Sequence, residues 1–171
     1  MKVLVGYDGS ECAEAALRDL PRAGLPAEGE ALIMTVADVF QPLPIKEEDN
    51  IFPMSVRAGV WRAHQLASEA VAEARDLAGK AKEQVKKLLP DWQVTTEACA
   101  DSPAGGLIKK ADEWQPDLIV VGSEGRTAMG GRLILGSVSQ RVLYEARASV
   151  RVARGQTRVD DGPVRSVIGV D

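Results

Sequence analysis

The chain has 171 residues, 45% of them hydrophobic and 27% charged, with a net charge of −4. A chain of this length buries about two thirds of its unfolded surface, enough for one domain without disulfide or metal staples. The negative balance and an aromatic content of 4% exclude the basic, stacking surface of a nucleic-acid binder, while a small phosphate ligand held by backbone amides stays open.

In chain order, residues 3–5 are a short apolar run that predicts a first strand, closed by Gly6-Tyr7-Asp8-Gly9-Ser10. Ser10 then caps a helix whose Ala13, Ala16, Leu17 and Leu20 fall on one face, and Pro21 and Gly24 end it. Residues 31–36 (ALIMTV) predict the second strand. The stretch 38–53, rich in proline and acid, is too long and irregular for a plain connection and reads as a surface excursion, a lid or a partner contact. A long helix follows, with Val56, Val60, Ala63, Ala67, Ala70, Ala74, Leu77, Ala81, Val85 and Leu88 forming a narrow inward seam before Pro90 stops it.

Residues 92–98 alternate, which suits a strand near a sheet edge. Ser102 and Pro103 make a cap and first turn for a third helix that carries Ala104, Leu107, Ile108, Ala111 and Trp114 inward. Residues 118–121 (LIVV) are the fourth strand, a fourth helix starts near Ser137 with Val138, Val142 and Ala146 on one face, and residues 150–153 close the series. Continuous apolar runs alternating with amphipathic helices define the α/β class: an open, doubly wound, five-stranded parallel sheet with helices on both faces. No stretch nears the roughly 18 apolar residues of a membrane span and no basic-then-apolar leader precedes the first strand, so the chain reads as cytoplasmic and free of the membrane.

Cys12 and Cys99 lack a C-x-x-C spacing and read as two buried thiols. His64 stands in the long helix with no nucleophile predicted beside it, and Trp61, Trp92 and Trp114 read as packing residues.

In an open α/β sheet, ligands bind outside the carboxyl ends of the strands where the strand order reverses. Two loops suit that place. In Gly6-Tyr7-Asp8-Gly9-Ser10, Asp8 projects from the end of the first strand, although the same residues also make an ordinary turn and cap. After the fourth strand come Gly122 and Gly125, then Gly130-Gly131, then Gly136-Ser137 opening a helix, with Ser123 and Ser137 offering hydroxyls and Arg126 a cation. Amides at a helix start, approached over glycines, favour an anion. The lysine of a G-x-x-x-x-G-K-[ST] phosphate loop is missing.

From residues 2 to 154, and most of all in Asp8, DLIVVGSEG and LGSVSQRVL, the sequence resembles the universal stress protein family. The nucleotide-binding branch of that family carries G-x-x-G, nine residues, then G-[ST]; here ten residues, 126–135, separate Gly125 from Gly136. The resemblance implies strand order 3-2-1-4-5 and an ATP-type adenine nucleotide, with adenine near Asp8 and Val36 and the ribose by Val121 and Gly122. It places the phosphates among Ser123, Gly125, Arg126, Gly136, Ser137 and Val138, with Mg²⁺ reached by Asp8 through water, and it implies a homodimer through the fifth strand. A stress or signalling module acting through conformation or dimerisation is the expected function, with a dimeric interaction protein that binds no nucleotide, or a slow ATPase, as alternatives. Beyond this domain, 155–163 reads as a linker, and 164–171 repeats the pattern of residues 1–8. That ending is either the start of a second repeat or an extra edge strand.

Overall fold

The computed structural model describes residues 1–40, 53–125 and 135–154. The expected linker 155–163, the strand-like 164–171 and most of the excursion after the second strand lie outside these residues. In order come β1 (Lys2–Gly6), α1 (Glu11–Asp19), β2 (Gly29–Ala37), α2 (Met54–Leu88), β3 (Trp92–Ala100), α3 (Pro103–Trp114), β4 (Leu118–Gly122), α4 (Ser137–Glu145) and β5 (Ser149–Ala153). A 3-10 turn, Leu20–Arg22, prolongs α1.

All strand pairs are parallel, in the order β3-β2-β1-β4-β5. The expected architecture is therefore present, with the alternating strand at an edge. The central strand explains why the apolar runs are continuous. Val3 and Val5 face one core with Leu17, Ala78, Ala81 and Val85 from α1 and α2. Leu4, between them, faces a second core with Leu107 of α3 and Val142 of α4. All three strand residues are fully buried, because a parallel sheet is covered on both sides.

The helices differ in how far the sheet covers them. In α2, Ala67, Ala74, Ala78, Ala81 and Val85 are buried, but Val56 on the same seam is 44% exposed, and Trp61 and Leu66, which lie off the seam, are 64% and 59% exposed. The predicted inward seam thus fails at its first position, Val56, and at its last, where Leu88 is exposed. Length gives the reason: 35 residues of helix span about 52 Å, and the nine residues of β2 or β3 only about 30 Å. The expectation that Trp61 packs inward is overturned, while Trp92 is buried with its indole N–H donating to the Pro26 carbonyl at 3.2 Å. Trp114 is half-buried and lies 5.2 Å beneath the Lys2 ammonium. The two thiols, expected buried, are both half-buried; burial and the neighbouring Asp101 push the Cys99 thiol up.

Chain reversal in this sheet occurs at the β1–β4 pair. From β1 the chain builds outward through β2 and β3, then returns to lay β4 and β5 on the opposite side. A crevice at the carboxyl ends of β1 and β4 is the geometric consequence.

Candidate functional site

At the end of β1 the backbone must turn sharply into α1. Gly9 has φ +77, a conformation that favours glycine. Asp8 Oδ1 accepts from the Ser10 amide at 3.0 Å, closing the turn. The Ser10 hydroxyl accepts from the Ala13 amide at 3.2 Å as the helix cap and donates to the Glu124 carbonyl at 3.2 Å. One side chain therefore caps α1 and fastens it to the turn after β4. Beside them the Tyr7 hydroxyl donates to Glu14 Oε1, which also accepts from Gln84 at 3.3 Å. Burial and that carboxylate raise the phenol above its ordinary range.

The end of β4 is pinned in several places. The Ser123 amide donates to the Ala153 carbonyl at 2.7 Å, holding the turn to β5. The Ser123 carbonyl accepts the Gly136 amide at 2.7 Å and the Ser139 hydroxyl at 2.9 Å. Gly136 is the N-cap of α4, so the start of that helix is seated on the end of the strand. Its first-turn amides, from Ser137 onward, have no carbonyl four residues back within the helix. They present a partial positive charge where they end.

Between these two strand ends lies a cavity of about 300 Å³. Met34, Val36, Leu107 and Val121 give it apolar walls, Gly125, Gly136, Ser137 and Val138 line it from the β4 side, and the acidic residues Asp8, Asp38 and Glu124 complete the lining. An Asp8 oxygen lies 3.1 Å from where a Cβ on Gly125 would stand. A planar apolar group can lie between such walls while an anion meets the amides of α4.

Eight residues expected at the site, Asp8, Val36, Val121, Gly122, Gly125, Gly136, Ser137 and Val138, line this one cavity. Ser123 is placed otherwise. It is 6% exposed and outside the lining, and its hydroxyl donates to Cys12 Sγ at 3.4 Å. The strand ends at Gly122, so alternation no longer sets the direction of the next side chain. Gly122 also has a structural duty: a Cβ there would stand 2.8 Å from the Ala13 nitrogen. Arg126, Gly130 and Gly131 lie outside the described residues.

Sequence reasoning missed Tyr7, Asp38, Leu107, Glu124 and Ser139, which also line the cavity. Asp38 directly follows β2, and the Ser-x-Ser of the first turn of α4 was a legible signal for Ser139. Among the described residues, no group of three or more His, Cys, Asp or Glu side chains is placed to hold a metal ion. His64 is half-buried in α2 and takes no part in the cavity. No described helix is long and apolar enough to cross a membrane.

A doubly wound parallel sheet with a ligand-sized crevice at its switch point defines an α/β binding domain. Comparison with known proteins narrows that class. Residues 1–154 match the model of the Universal stress protein family, and the chain belongs to that family. A universal stress protein of Thermus aquaticus is 30% identical, the match covering 89% of this chain and 97% of that one. The universal stress protein MJ0531 of Methanocaldococcus jannaschii is 29% identical, over 90% of this chain and 81% of its own. The solved structure of MJ0577, from the same organism, superposes with a TM-score of 0.72 at 22% identity, covering 92% of this chain and 97% of that one. A family member from Arabidopsis thaliana, solved with AMP bound, gives a TM-score of 0.54 at 13% identity, over 95% of both chains.

Proposed function

We propose that the cavity binds an adenine nucleotide, ATP or a relative, and that the protein is a cytoplasmic stress-response or signalling module whose conformation or dimer state follows that ligand. The observation that carries this reading is convergence: Asp8 just after β1, Gly125 after β4 and the first turn of α4 face one cavity, although more than a hundred residues separate Asp8 from the other two. Adenine lies by Asp8 and Val36, the ribose by Val121 and Gly122, and the phosphates by Gly125, Gly136, Ser137 and Val138. Arg126 completes the phosphate end in this reading. Support comes also from the AMP-bound relative, a protein of the same fold.

Mg²⁺ belongs to the proposal only through water and a phosphate-bearing ligand, since Asp8, Asp38 and Glu124 are not grouped as a metal site of their own. The proposed dimer forms through β5, which has β4 as its single strand partner among the described residues. Beside it on α4, Leu143 and Tyr144 are 42% and 83% exposed.

Thermal unfolding of nucleotide-free protein with ATP, ADP or AMP, each with and without Mg²⁺, tests the reading. A ligand at a hundredfold excess over its Kd stabilises by about 2.7 kcal/mol, a rise in Tm of roughly 5 to 10 °C for a domain of this size. No rise with any of the three at millimolar concentration overturns it.

A further inference from the structure

We infer that Ser139 is the positioning residue of the phosphate end of the cavity, holding the start of α4 to the end of β4 so that the anion-facing amides keep one geometry. The inference rests on the nucleotide reading above. Ser139 is 2% exposed, and its hydroxyl lies 2.9 Å from the Ser123 carbonyl and 2.9 Å from the Gly136 carbonyl. A serine has a single hydroxyl proton, and here it is shared between those two acceptors. It is thereby committed to the backbone and acts on a ligand through other groups.

The geometry has a further point. The Ser123 carbonyl receives both the Ser139 hydroxyl and the Gly136 amide, while the Ser123 amide is tied to Ala153 in β5. Strand end, helix cap and first helical turn are thus joined by bonds among residues 123, 136 and 139. These bonds join groups on either side of the ten residues between Gly125 and Gly136, so the strand end itself anchors the amides of Ser137 and Val138. Gly125 and Gly136 line one cavity, with ten residues between them in sequence. Buried in a low dielectric, such bonds fix position more firmly than surface ones.

Ser139→Ala removes the clamp with little change of volume, and Ser139→Thr restores the hydroxyl. Titration calorimetry of each nucleotide-free protein with AMP and with adenosine separates the phosphate end from the rest of the cavity. The expected result is a loss of about tenfold in AMP affinity for Ser139→Ala, the equivalent of one hydrogen bond, with adenosine affinity unchanged and AMP affinity recovered in Ser139→Thr. Hydrogen exchange at the Gly136 amide rises in Ser139→Ala as its bond to Ser123 loosens. If wild type binds both ligands and Ser139→Ala matches it, or loses both equally, the role of Ser139 is overturned while the nucleotide reading stands. A wild type that binds neither ligand overturns the nucleotide reading, and this assignment with it.

Discussion

The carboxyl end of β4 has two sides that one short motif joins. On the α1 side, Gly122 lies so close to the helix that a Cβ would stand 2.8 Å from the Ala13 nitrogen and 2.8 Å from the Cys12 carbonyl carbon. On the cavity side, Gly125 is exposed, and among the described residues a Cβ there would meet one group within 4 Å, an oxygen of Asp8. The first glycine allows two backbones to touch; the second keeps a crevice open. A G-x-x-G motif therefore combines a packing requirement with a binding requirement, and its two glycines are not equivalent probes of function.

The largest effect is expected from Gly122→Val. Its side chain meets backbone that has no rotamer to move, so the domain loses about 3 kcal/mol, read from urea denaturation. Loss of nucleotide binding in that variant would mix unfolding with the ribose contact proposed for Gly122. Gly125→Val sharpens the contrast: stability holds within about 0.5 kcal/mol while adenine-nucleotide affinity falls about tenfold or more, some 1.4 kcal/mol. A Gly125 variant that unfolds as Gly122→Val does would erase the distinction.

Next in size is Ser10→Ala, which removes the cap of α1 and its tether to Glu124. A cost of about 1 kcal/mol is expected, and it should be smaller in a protein already carrying Gly122→Val, because both act where α1 meets β4. Additive losses in the double mutant would break that link. The smallest effect concerns Tyr7, whose phenol is raised by burial and by Glu14. A raised folded value means stability that is full below the ordinary tyrosine pKa of about 10 and is lost as pH rises toward the folded value. Tyr7→Phe should flatten this alkaline decline in urea midpoints; a slope identical to wild type would remove Tyr7 as its source.

The fold was legible because burial on both faces of a parallel sheet leaves a plain mark, the unbroken apolar run. Val3, Leu4 and Val5 carry it without ambiguity. Helical period was a poorer guide to burial, since Val56 obeys the same geometry as Ala74 and Val85 but projects past the strands that would cover it. In the candidate site, glycines and helix starts were readable from spacing, whereas hydroxyl direction was not. Ser123 turns to Cys12, and Ser139, three residues into a helical motif, turns back to the strand. Asp38 reaches the cavity through topology, which no local pattern encodes, whereas Glu124 stands inside the Gly122-x-x-Gly125 stretch.

The strand order also sets a timetable for synthesis. One edge of β1 is taken by β2 after fewer than thirty residues, as Lys2 pairs with Glu30. The other edge waits for β4, and the Lys2 amide meets Asp117 across 115 positions of chain. At roughly 5 to 20 residues per second, β1 emerges from the ribosome many seconds before that partner exists. For that interval the centre of the future sheet is an open edge, so the step that completes it is the one most exposed to mispairing with a second nascent chain.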